Sequence, residues 1–420
     1  MMRKLLLGLL LFGCCTLLKA QPDTIQRIAT GRLNSVEQQQ KPYVIMISSD
    51  GFRYDYPEKH HATTLLRLSK NGVRAASMIP SYPSLTFPNH YTLVTGMYPA
   101  HHGLANNYFY SRIRKQSYSM RNGATVTDGS WYGGTPLWVL AEQNQMLSAS
   151  FFWVGSEADI KGIVPTYYYR YNEAIPIERR IQVVVNWLQL PPERRPHFIT
   201  FYFSRTDHDG HEYGPDAPET GIAVRWVDSA IQKLTTAVNA TGLPVNYIFV
   251  ADHGMTKVDQ DHALPMPSAV DTNLFIIPRG SELVQLYAKD KKDIIPTYTK
   301  LKRQAEGYKV YLRSGMPSYL HYSERDDSLQ TIGDILLIPV WPRVFNFSRD
   351  KPNPGAHGFD PALVKDMHAI FIAWGPNIRS GLKVPTFKNI DVYPVITRIL
   401  GLPNKEKIDG SSQLADMIVK

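Results

Sequence analysis

The stretch Tyr-Val-Ile-Met-Ile-Ser-Ser-Asp-Gly, residues 43–51, decides the fold of this chain. Its first six residues form a continuous apolar run that ends at an acidic residue and a glycine. Such a run is typical of a strand buried on both faces of a sheet. Similar runs occur at residues 198–203, 247–251 and 369–373. Helix-like stretches separate them, at residues 63–71, 177–188 and 221–239. The alternation predicts an α/β fold with a largely parallel central sheet and helices on both faces.

Acidic residues follow three of the predicted strands. Asp50 ends the first run, Asp207 lies just past the second, and Asp252 follows the third. In sheets of this kind, ligands bind beyond the carboxyl ends of the strands. We therefore expect the three carboxylates to meet at one edge of the sheet.

Residues 273–352 interrupt the strand–helix rhythm with a charged stretch at 289–293 and short β-like pieces such as 335–338. This change of pattern predicts a smaller inserted α+β subdomain. A catalytic domain would then consist of residues 42–272 and 353–420.

The N-terminus has the pattern of an export signal. Arg3 and Lys4 precede an apolar run at residues 5–18, and Lys19-Ala20-Gln21 offers a cleavage point. This pattern predicts a signal peptide over residues 1–20, a mobile polar leader over 21–41, and no transmembrane span in the mature chain. The protein would be periplasmic or secreted.

Both cysteines of the chain, Cys14 and Cys15, lie inside the predicted signal. A mature chain starting at Gln21 would contain no cysteine and fold without disulfides. An alternative is that Leu11-Phe12-Gly13-Cys14 serves as a lipoprotein box, which would attach a lipid anchor at Cys14 and leave an outer-membrane lipoprotein.

The charge pattern favours a small anionic substrate. The formal net charge is +9 and the hydrophobic content is 43%, but Lys and Arg are dispersed along the chain. A dispersed basic excess does not indicate a specific nucleic-acid partner.

Carboxylates and imidazoles in several clusters predict a zinc site. Asp207 and His211 stand four apart, as on one face of a helix, although His208 and Asp209 offer alternative ligands there. The pair Asp252-His253 follows a strand. Zinc takes carboxylate oxygens and imidazole nitrogens. With Asp50 and His357, these pairs are better explained as metal ligands than as separate polar strand ends.

Two hydroxyls, those of Ser84 and Thr86, are candidates for a nucleophile. Metal coordination can activate a hydroxyl that is otherwise weakly nucleophilic. Pro88 favours a helix that begins near Thr86, and a helix N-terminus favours a phosphate anion. Asn107 could donate its amide to a phosphate oxygen.

Six segments carry a resemblance to a known family: Ser-Asp-Gly-Phe-Arg at 49–53, Thr-Phe-Pro-Asn-His-Tyr at 86–91, Thr-Gly-Met-Tyr-Pro-Ala-His-His-Gly at 95–103, Gly-His-Glu-Tyr-Gly-Pro at 210–215, Asp-His-Gly-Met at 252–255 and His-Gly-Phe-Asp at 357–360. The chain resembles a nucleotide pyrophosphatase/phosphodiesterase of the alkaline phosphatase superfamily, of the bacterial type I phosphodiesterase kind. The resemblance extends from about residue 42 to 410 and implies an alkaline-phosphatase-like fold.

The resemblance implies two Zn²⁺ ions and a threonine nucleophile. One zinc would take Asp207, His211 and His357. The other would take Asp50, Asp252 and His253, and it would also bind Thr86, the nucleophile on that side. Asn107 would contact the phosphate. His90, His101 and His102 should matter less, because the family does not use them as zinc ligands.

The resemblance also implies a nucleobase slot between Phe87 and Tyr171. Trp153 and Tyr168 belong to the same aromatic-rich region, and Glu157 stands where the family has an aspartate. We predict that these five residues contact the substrate, with ordinary core packing as the alternative for Trp153, Tyr168 and Tyr171.

These features predict zinc-dependent hydrolysis of phosphodiester or pyrophosphate bonds in nucleotides. The reaction would release nucleoside 5′-monophosphates through a phosphothreonine intermediate. One alternative is a phosphomonoesterase, for which Arg112 or Arg205 could supply the required cation. Others are a choline- or lipid-headgroup phosphodiesterase on the same two-metal site, and a non-catalytic zinc- or nucleotide-binding protein.

Overall fold

The computed structural model describes residues 23–420. The predicted signal peptide and the lipid anchor at Cys14 therefore lie outside the described residues. Within residues 23–420, nine strands form a central sheet, in the spatial order Arg27–Ile28, Tyr167–Tyr169, Ser148–Phe151, Phe198–Phe203, Tyr43–Ser49, Val245–Val250, Phe371–Trp374, Val73–Ala75 and Leu382–Val384.

The strand that decides the fold lies at the centre of this sheet. Tyr43–Ser49 pairs in parallel with Phe198–Phe203 on one side and Val245–Val250 on the other. All seven of its residues are buried. Because successive side chains of a strand point to opposite faces, the sheet is covered on both faces, as the apolar run predicts.

The strand Phe371–Trp374 runs antiparallel to Val245–Val250, so the sheet is mixed on that side. A parallel partner needs a crossover connection, usually a helix. No α-helix separates the loop around His357 from Phe371, and the chain therefore returns directly in the opposite direction.

Six helices pack on or around the sheet. Those at Thr63–Asn71 and Ile177–Leu188 have the predicted bounds, and the third predicted helix begins earlier, at Pro218, and ends at Asn239. Proline is favoured in a first helical turn. The other three are Thr86–Thr95, Leu137–Gln143 and Val392–Leu400.

Other helices and short strand pairs complete the fold. Helix Arg205–Tyr213 has nine residues and contacts strand Tyr43–Ser49. Short helices occur at Tyr56–Lys59, Pro99–His102, Gly123–Val126 and Gln413–Ile418. Pairs of short strands are Met78–Ile79 with Phe387–Lys388, Tyr108–Ser111 with Gln116–Ser119, and Thr256–Lys257 with Gly355–Ala356.

The prediction of a mobile leader is wrong for residues 23–41. Arg27–Ile28 forms the edge strand of the central sheet, paired with Tyr167–Tyr169. The buried Asn34 side chain donates to the carbonyls of Pro192 and Arg195 at 2.8 and 2.7 Å. The polar residues of this segment therefore form hydrogen bonds with the domain instead of solvating a loose chain.

The predicted α+β subdomain has its own antiparallel sheet. Its four strands, in spatial order, are Phe275–Ile276, Val284–Ala288, Ile335–Pro339 and Tyr308–Leu312. Helix Ile294–Gln304 packs against them. Contacts such as the Tyr322 hydroxyl donating to the Ala105 carbonyl at 2.8 Å join this sheet to the larger domain. The boundaries at 273 and 352 stay a prediction.

Across residues 23–420, every helix is too short or too polar to cross a bilayer.

Candidate metal centre and nucleophile

The carboxylates predicted to meet do so at the carboxyl edge of the central strands. Asp50 follows Tyr43–Ser49 directly, and Asp252 lies two residues past Val245–Val250. Gly51 brings Asp207 against them. Its φ is +65°, and a Cβ at this position would lie 3.0 Å from the Asp207 Cα. A side chain at Gly51 would therefore push the two ligand loops apart.

Three histidines present their Nε2 atoms toward these carboxylates. Each one bonds through Nδ1 to a backbone carbonyl: His211 to Gly355 at 2.8 Å, His253 to Gly254 at 2.8 Å, and His357 to Ser84 at 2.9 Å. A ring whose Nδ1–H donates to a carbonyl keeps the Nε2 lone pair free for a metal ion. All three rings are thus oriented as zinc ligands are.

The ligand atoms fall into two adjoining groups within the described part of the chain. Atoms of Asp207, His253 and His357 lie within 4.8 Å of one another, as do atoms of Asp50, Asp252 and His253. His211 stands beside the first group, with its Nε2 3.4 Å from Asp207 Oδ1. The structure therefore brings the six predicted Asp and His ligands together, and His253 is common to both groups.

The donor set fits divalent cations. Asp50 Oδ1, Asp207 Oδ1 and Asp252 Oδ2 are buried and accept no well-aligned hydrogen bond, although histidine nitrogens lie beside each of them. A buried carboxylate oxygen without a partner is costly. Cations held between these oxygens and the Nε2 atoms would remove that cost, and mixed Asp/His sets suit zinc.

The electrostatics of the site indicate the same need for positive charge. Burial, together with the charges of Asp252 and Asp207, raises the pKa of Asp50 well above its ordinary value. Burial would also raise the pKa of Asp252, but His253 and His90 hold it well below the ordinary value. Burial lowers the pKa of His357, which keeps this ring neutral and able to bind a metal.

We expect zinc to stabilise the protein more at pH 7.5 than at pH 5. Because the folded-state pKa of Asp50 is raised, its contribution to the stability of metal-free protein is present below the unfolded pKa and lost as pH rises through the folded value. Zinc binds the ionised carboxylate, so its affinity for the site increases as rising pH removes protons from the ligands.

Thermal unfolding of chelator-treated protein with and without zinc would measure this effect. Saturating zinc should raise the midpoint by about 5 °C at pH 7.5 and by much less at pH 5. Magnesium at the same concentration is the control. A zinc-induced shift that does not grow with pH would contradict the assignment.

The structure separates the two candidate nucleophiles. Thr86 is the first residue of helix Thr86–Thr95, and its Oγ1 lies 3.3 Å from His253 Nε2. The Ser84 hydroxyl donates to the Phe359 carbonyl at 2.7 Å and accepts from the Gly358 N–H at 3.1 Å. Ser84 thus holds the loop that carries His357, whereas Thr86 faces the metal ligands.

Asn107 is oriented to donate toward the same place. Its Oδ1 accepts the backbone N–H of Phe87 at 2.9 Å. This bond fixes the amide plane and leaves the side-chain NH₂ group free for a phosphate oxygen beside Thr86.

Phe87 and Tyr171, the two residues of the predicted base slot, both have exposed surface. Phe87 is partly exposed next to Thr86, and the Tyr171 side chain is 50% exposed. The Tyr171 ring lies 6.0 Å from that of Tyr202, whose hydroxyl donates to Asp50 Oδ2 at 2.6 Å. Tyr171 therefore borders the metal site through Tyr202, a residue that the sequence analysis did not single out.

The other predicted substrate residues have different surroundings. Trp153 is buried, and its indole N–H donates to the His90 carbonyl at 2.9 Å. Glu157 accepts the backbone N–H of Tyr171 at 2.6 Å, which braces the loop behind that ring. Tyr168 pairs with Arg27 at the edge of the sheet, three strands from Tyr43–Ser49 at about 4.8 Å a step. These contacts favour supporting roles over direct contact with a base.

The histidines predicted to matter less divide into two kinds. His101 bonds Asp409 at 2.7 Å and His102 bonds the Thr92 hydroxyl at 3.0 Å, both apart from the metal ligands. His90, in contrast, lies 3.2 Å from Asp252 Oδ2. His208 is exposed and Asp209 faces Arg205, so neither alternative ligand joins the two groups.

A family model described as type I phosphodiesterase/nucleotide pyrophosphatase matches residues 44–360. The chain is 33% identical over 374 residues to ectonucleotide pyrophosphatase/phosphodiesterase family member 1 of Homo sapiens, an alignment that covers 86% of this chain and 40% of that protein. It is 34% identical over 373 residues to the venom phosphodiesterase of Macrovipera lebetinus, covering 86% and 43%. The chain thus spans less than half the length of these relatives.

Solved structures share the fold. Human ectonucleotide pyrophosphatase/phosphodiesterase 5 superposes with a TM-score of 0.83 at 26% identity, over 90% of this chain and all of that one. An inactive murine form of the same protein in complex with AMP gives 0.83 at 27% identity over the same shares. The architecture is the alkaline-phosphatase-like α/β fold that these proteins share. With the family match across most of its length, the chain belongs to the type I phosphodiesterase/nucleotide pyrophosphatase family.

Proposed function

We propose that this protein hydrolyses phosphodiester or pyrophosphate bonds of nucleotides and releases nucleoside 5′-monophosphates. The observation that carries the proposal is the placement of the Thr86 hydroxyl 3.3 Å from His253 Nε2, beside two groups of Asp and His ligands. Two zinc ions bound there would supply Lewis acidity to that hydroxyl and to the phosphate oxygens.

The residues of the chain suggest how the reaction proceeds. Thr86 Oγ1 attacks phosphorus and gives up its proton to solvent, while the bond from phosphorus to the leaving oxygen breaks on the opposite side and that oxygen departs with its electron pair. The phosphothreonine that forms still carries the nucleoside through its remaining ester bond. Water then cleaves the bond between phosphorus and Thr86 Oγ1, which frees the nucleoside 5′-monophosphate and restores the hydroxyl. The helix N-terminus at Thr86 and the amide of Asn107 hold the non-bridging oxygens while charge develops on them.

A nucleoside fits the surface beside this centre. The partly exposed Phe87 and the exposed Tyr171 offer aromatic faces near Thr86 and Asp50, and any base can stack on such faces. The similar murine protein was solved with AMP, which supports a nucleotide as the ligand.

The surroundings of two arginines bear on the monoesterase alternative. A phosphomonoester carries an additional negative charge, for which Arg112 and Arg205 are the candidate cations. Arg112 pairs with Asp334 at 2.8 Å, and Arg205 faces Asp209 and the ring of Trp226. The guanidinium group of Arg112 is therefore held by close partners, whereas the Arg205 side chain is 42% exposed and only loosely paired.

Comparison of p-nitrophenyl thymidine monophosphate with p-nitrophenyl phosphate tests the proposal. We expect kcat/KM to be about 5- to 150-fold higher for the diester, because one base stack contributes about 1–3 kcal/mol. The zinc content of the same sample should be two ions per chain. A preference for the monoester would contradict the proposal, and no turnover of either compound by zinc-loaded protein would favour a binding protein.

A further inference from the structure

His90 is a fully buried histidine that lies against the candidate centre without belonging to either ligand group. It follows Thr86 by one helical turn, so its ring lies on the same side of helix Thr86–Thr95. The reaction as proposed assigns it no part.

Both nitrogens of the His90 ring have partners. Nε2 lies 2.8 Å from the Ser48 hydroxyl, and Nδ1 lies 3.1 Å from the Thr86 carbonyl and 3.2 Å from Asp252 Oδ2. A carbonyl and a carboxylate can only accept, so Nδ1 carries the proton and Nε2 accepts from Ser48. The ring therefore donates to the nucleophile's own backbone and faces the carboxylate across from it.

Further packing fixes the orientation of this ring. The indole of Trp153 meets it edge-on at 5.2 Å and donates to the His90 carbonyl, and the ring of Tyr202 meets it at 5.2 Å. Tyr202 in turn bonds Asp50. His90 thus lies against Asp252 directly and is connected through Tyr202 to Asp50, a carboxylate at the end of a different strand.

We infer that His90 is a positioning residue that links Asp252 to the backbone of Thr86 and thereby secures zinc in the pocket of Asp50, Asp252 and His253. The inference rests on the proposed two-zinc function. Outer groups that orient a ligand carboxylate commonly change metal affinity about 10–100-fold when they are removed. The predicted effect is therefore on zinc binding first, and on turnover only as a result.

Three substitutions at one position distinguish positioning from simple packing. In His90→Asn the amide nitrogen can replace Nδ1, in His90→Gln the polar atoms reach the Nε2 position instead, and His90→Phe keeps a ring without any donor. Positioning predicts that His90→Asn binds zinc best of the three. Packing alone predicts that His90→Phe does.

His102 offers a matched control, because it is another fully buried histidine that bonds a threonine hydroxyl. Its neighbours include no metal ligand among those described above, so His102→Gln should affect stability alone. Ser48→Ala removes the partner of Nε2 without adding bulk, and it should act in the same direction as the His90 substitutions but more weakly.

Zinc affinity is measured by competition with a chromophoric chelator, with metal analysis after dialysis and circular dichroism of the metal-free proteins. We expect His90→Gln and His90→Phe to bind one of two zinc ions about 10–100-fold more weakly, and His90→Asn and His102→Gln to stay near wild type. Wild-type affinity in His90→Gln and His90→Phe, or an equal loss in His102→Gln, would overturn the inference. If His90→Gln and His90→Phe do not fold, weaker zinc binding by Ser48→Ala supports the inference, and wild-type zinc affinity in Ser48→Ala overturns it. Wild-type protein that retains fewer than two zinc ions overturns the proposed function itself.

Discussion

Thr86→Ala is expected to lower turnover of a nucleotide phosphodiester about 10⁴-fold or more, as loss of a nucleophile does in other covalent mechanisms. Zinc content should remain at the wild-type value, because the five Asp and His side chains of the two ligand groups are untouched, as is His211. The Thr86 hydroxyl is partly exposed and lies at the ligands, so removing it deletes the attacking atom and little packing.

Ser84→Ala and Asn107→Ala are the matched controls. Ser84 is two residues away, and its hydroxyl bonds Phe359 and Gly358 in the loop that carries His357. Ser84→Ala should therefore lower stability and reduce turnover far less than Thr86→Ala does. Asn107→Ala should lower turnover about 10²–10³-fold, which is the usual effect of deleting one oxyanion donor. Initial rates on p-nitrophenyl thymidine monophosphate measure all three.

Mass spectrometry of wild-type protein acid-quenched during turnover adds an independent observation, since the expected intermediate is a phosphate that still carries the nucleoside, attached to the peptide that contains Thr86. The assignment is refuted if Thr86→Ala is as active as wild type in a preparation free of host phosphatase. It is also refuted if the trapped phosphate lies on Ser84.

Apolar runs in the sequence predicted the central strands of the sheet, because a strand that is buried on both faces can contain few polar residues. Phe198–Phe203 has the predicted bounds, and Val245–Val250 differs from its prediction by two residues at its start and one at its end. An apolar run does not encode direction, however, so the antiparallel strand Phe371–Trp374 was not foreseen. The edge strand Arg27–Ile28 was missed because two residues paired to a distant segment leave no periodic signal.

The residues of the candidate site that the sequence indicated are those whose side-chain type and position at a strand end both suggest a metal ligand. Asp50 and Asp252 follow strands, and metal-binding residue types at those ends are informative on their own. His90 and Tyr202 act through other residues, and their partners Ser48 and Asp50 are 42 and 152 positions away. In the sequence, only the spacing of four residues between Thr86 and His90, which is one helical turn, could have pointed to His90.

His253→Ala should have the largest effect of any ligand substitution. Its Nε2 lies in both ligand groups, 2.9 Å from Asp252 Oδ2 and 3.4 Å from Asp50 Oδ1. Removing the ring takes a ligand from both pockets. Without bound zinc, no positive charge then offsets the mutual repulsion of the buried carboxylates. We expect the loss of both zinc ions and of measurable turnover.

His211→Ala and His262→Ala show whether this sharing is real. His211 adjoins only the group of Asp207, with its Nε2 3.4 Å from Asp207 Oδ1 and its side chain 29% exposed, so His211→Ala should release at most one zinc ion. His262 is exposed and pairs with Asp259, so His262→Ala should release none. Metal analysis of the three variants after dialysis against a zinc buffer shows how many zinc ions each one retains. If His253→Ala retained one zinc ion as firmly as His211→Ala, the two pockets would not share a ligand, and the close approach of the groups would reflect neighbouring but independent sites.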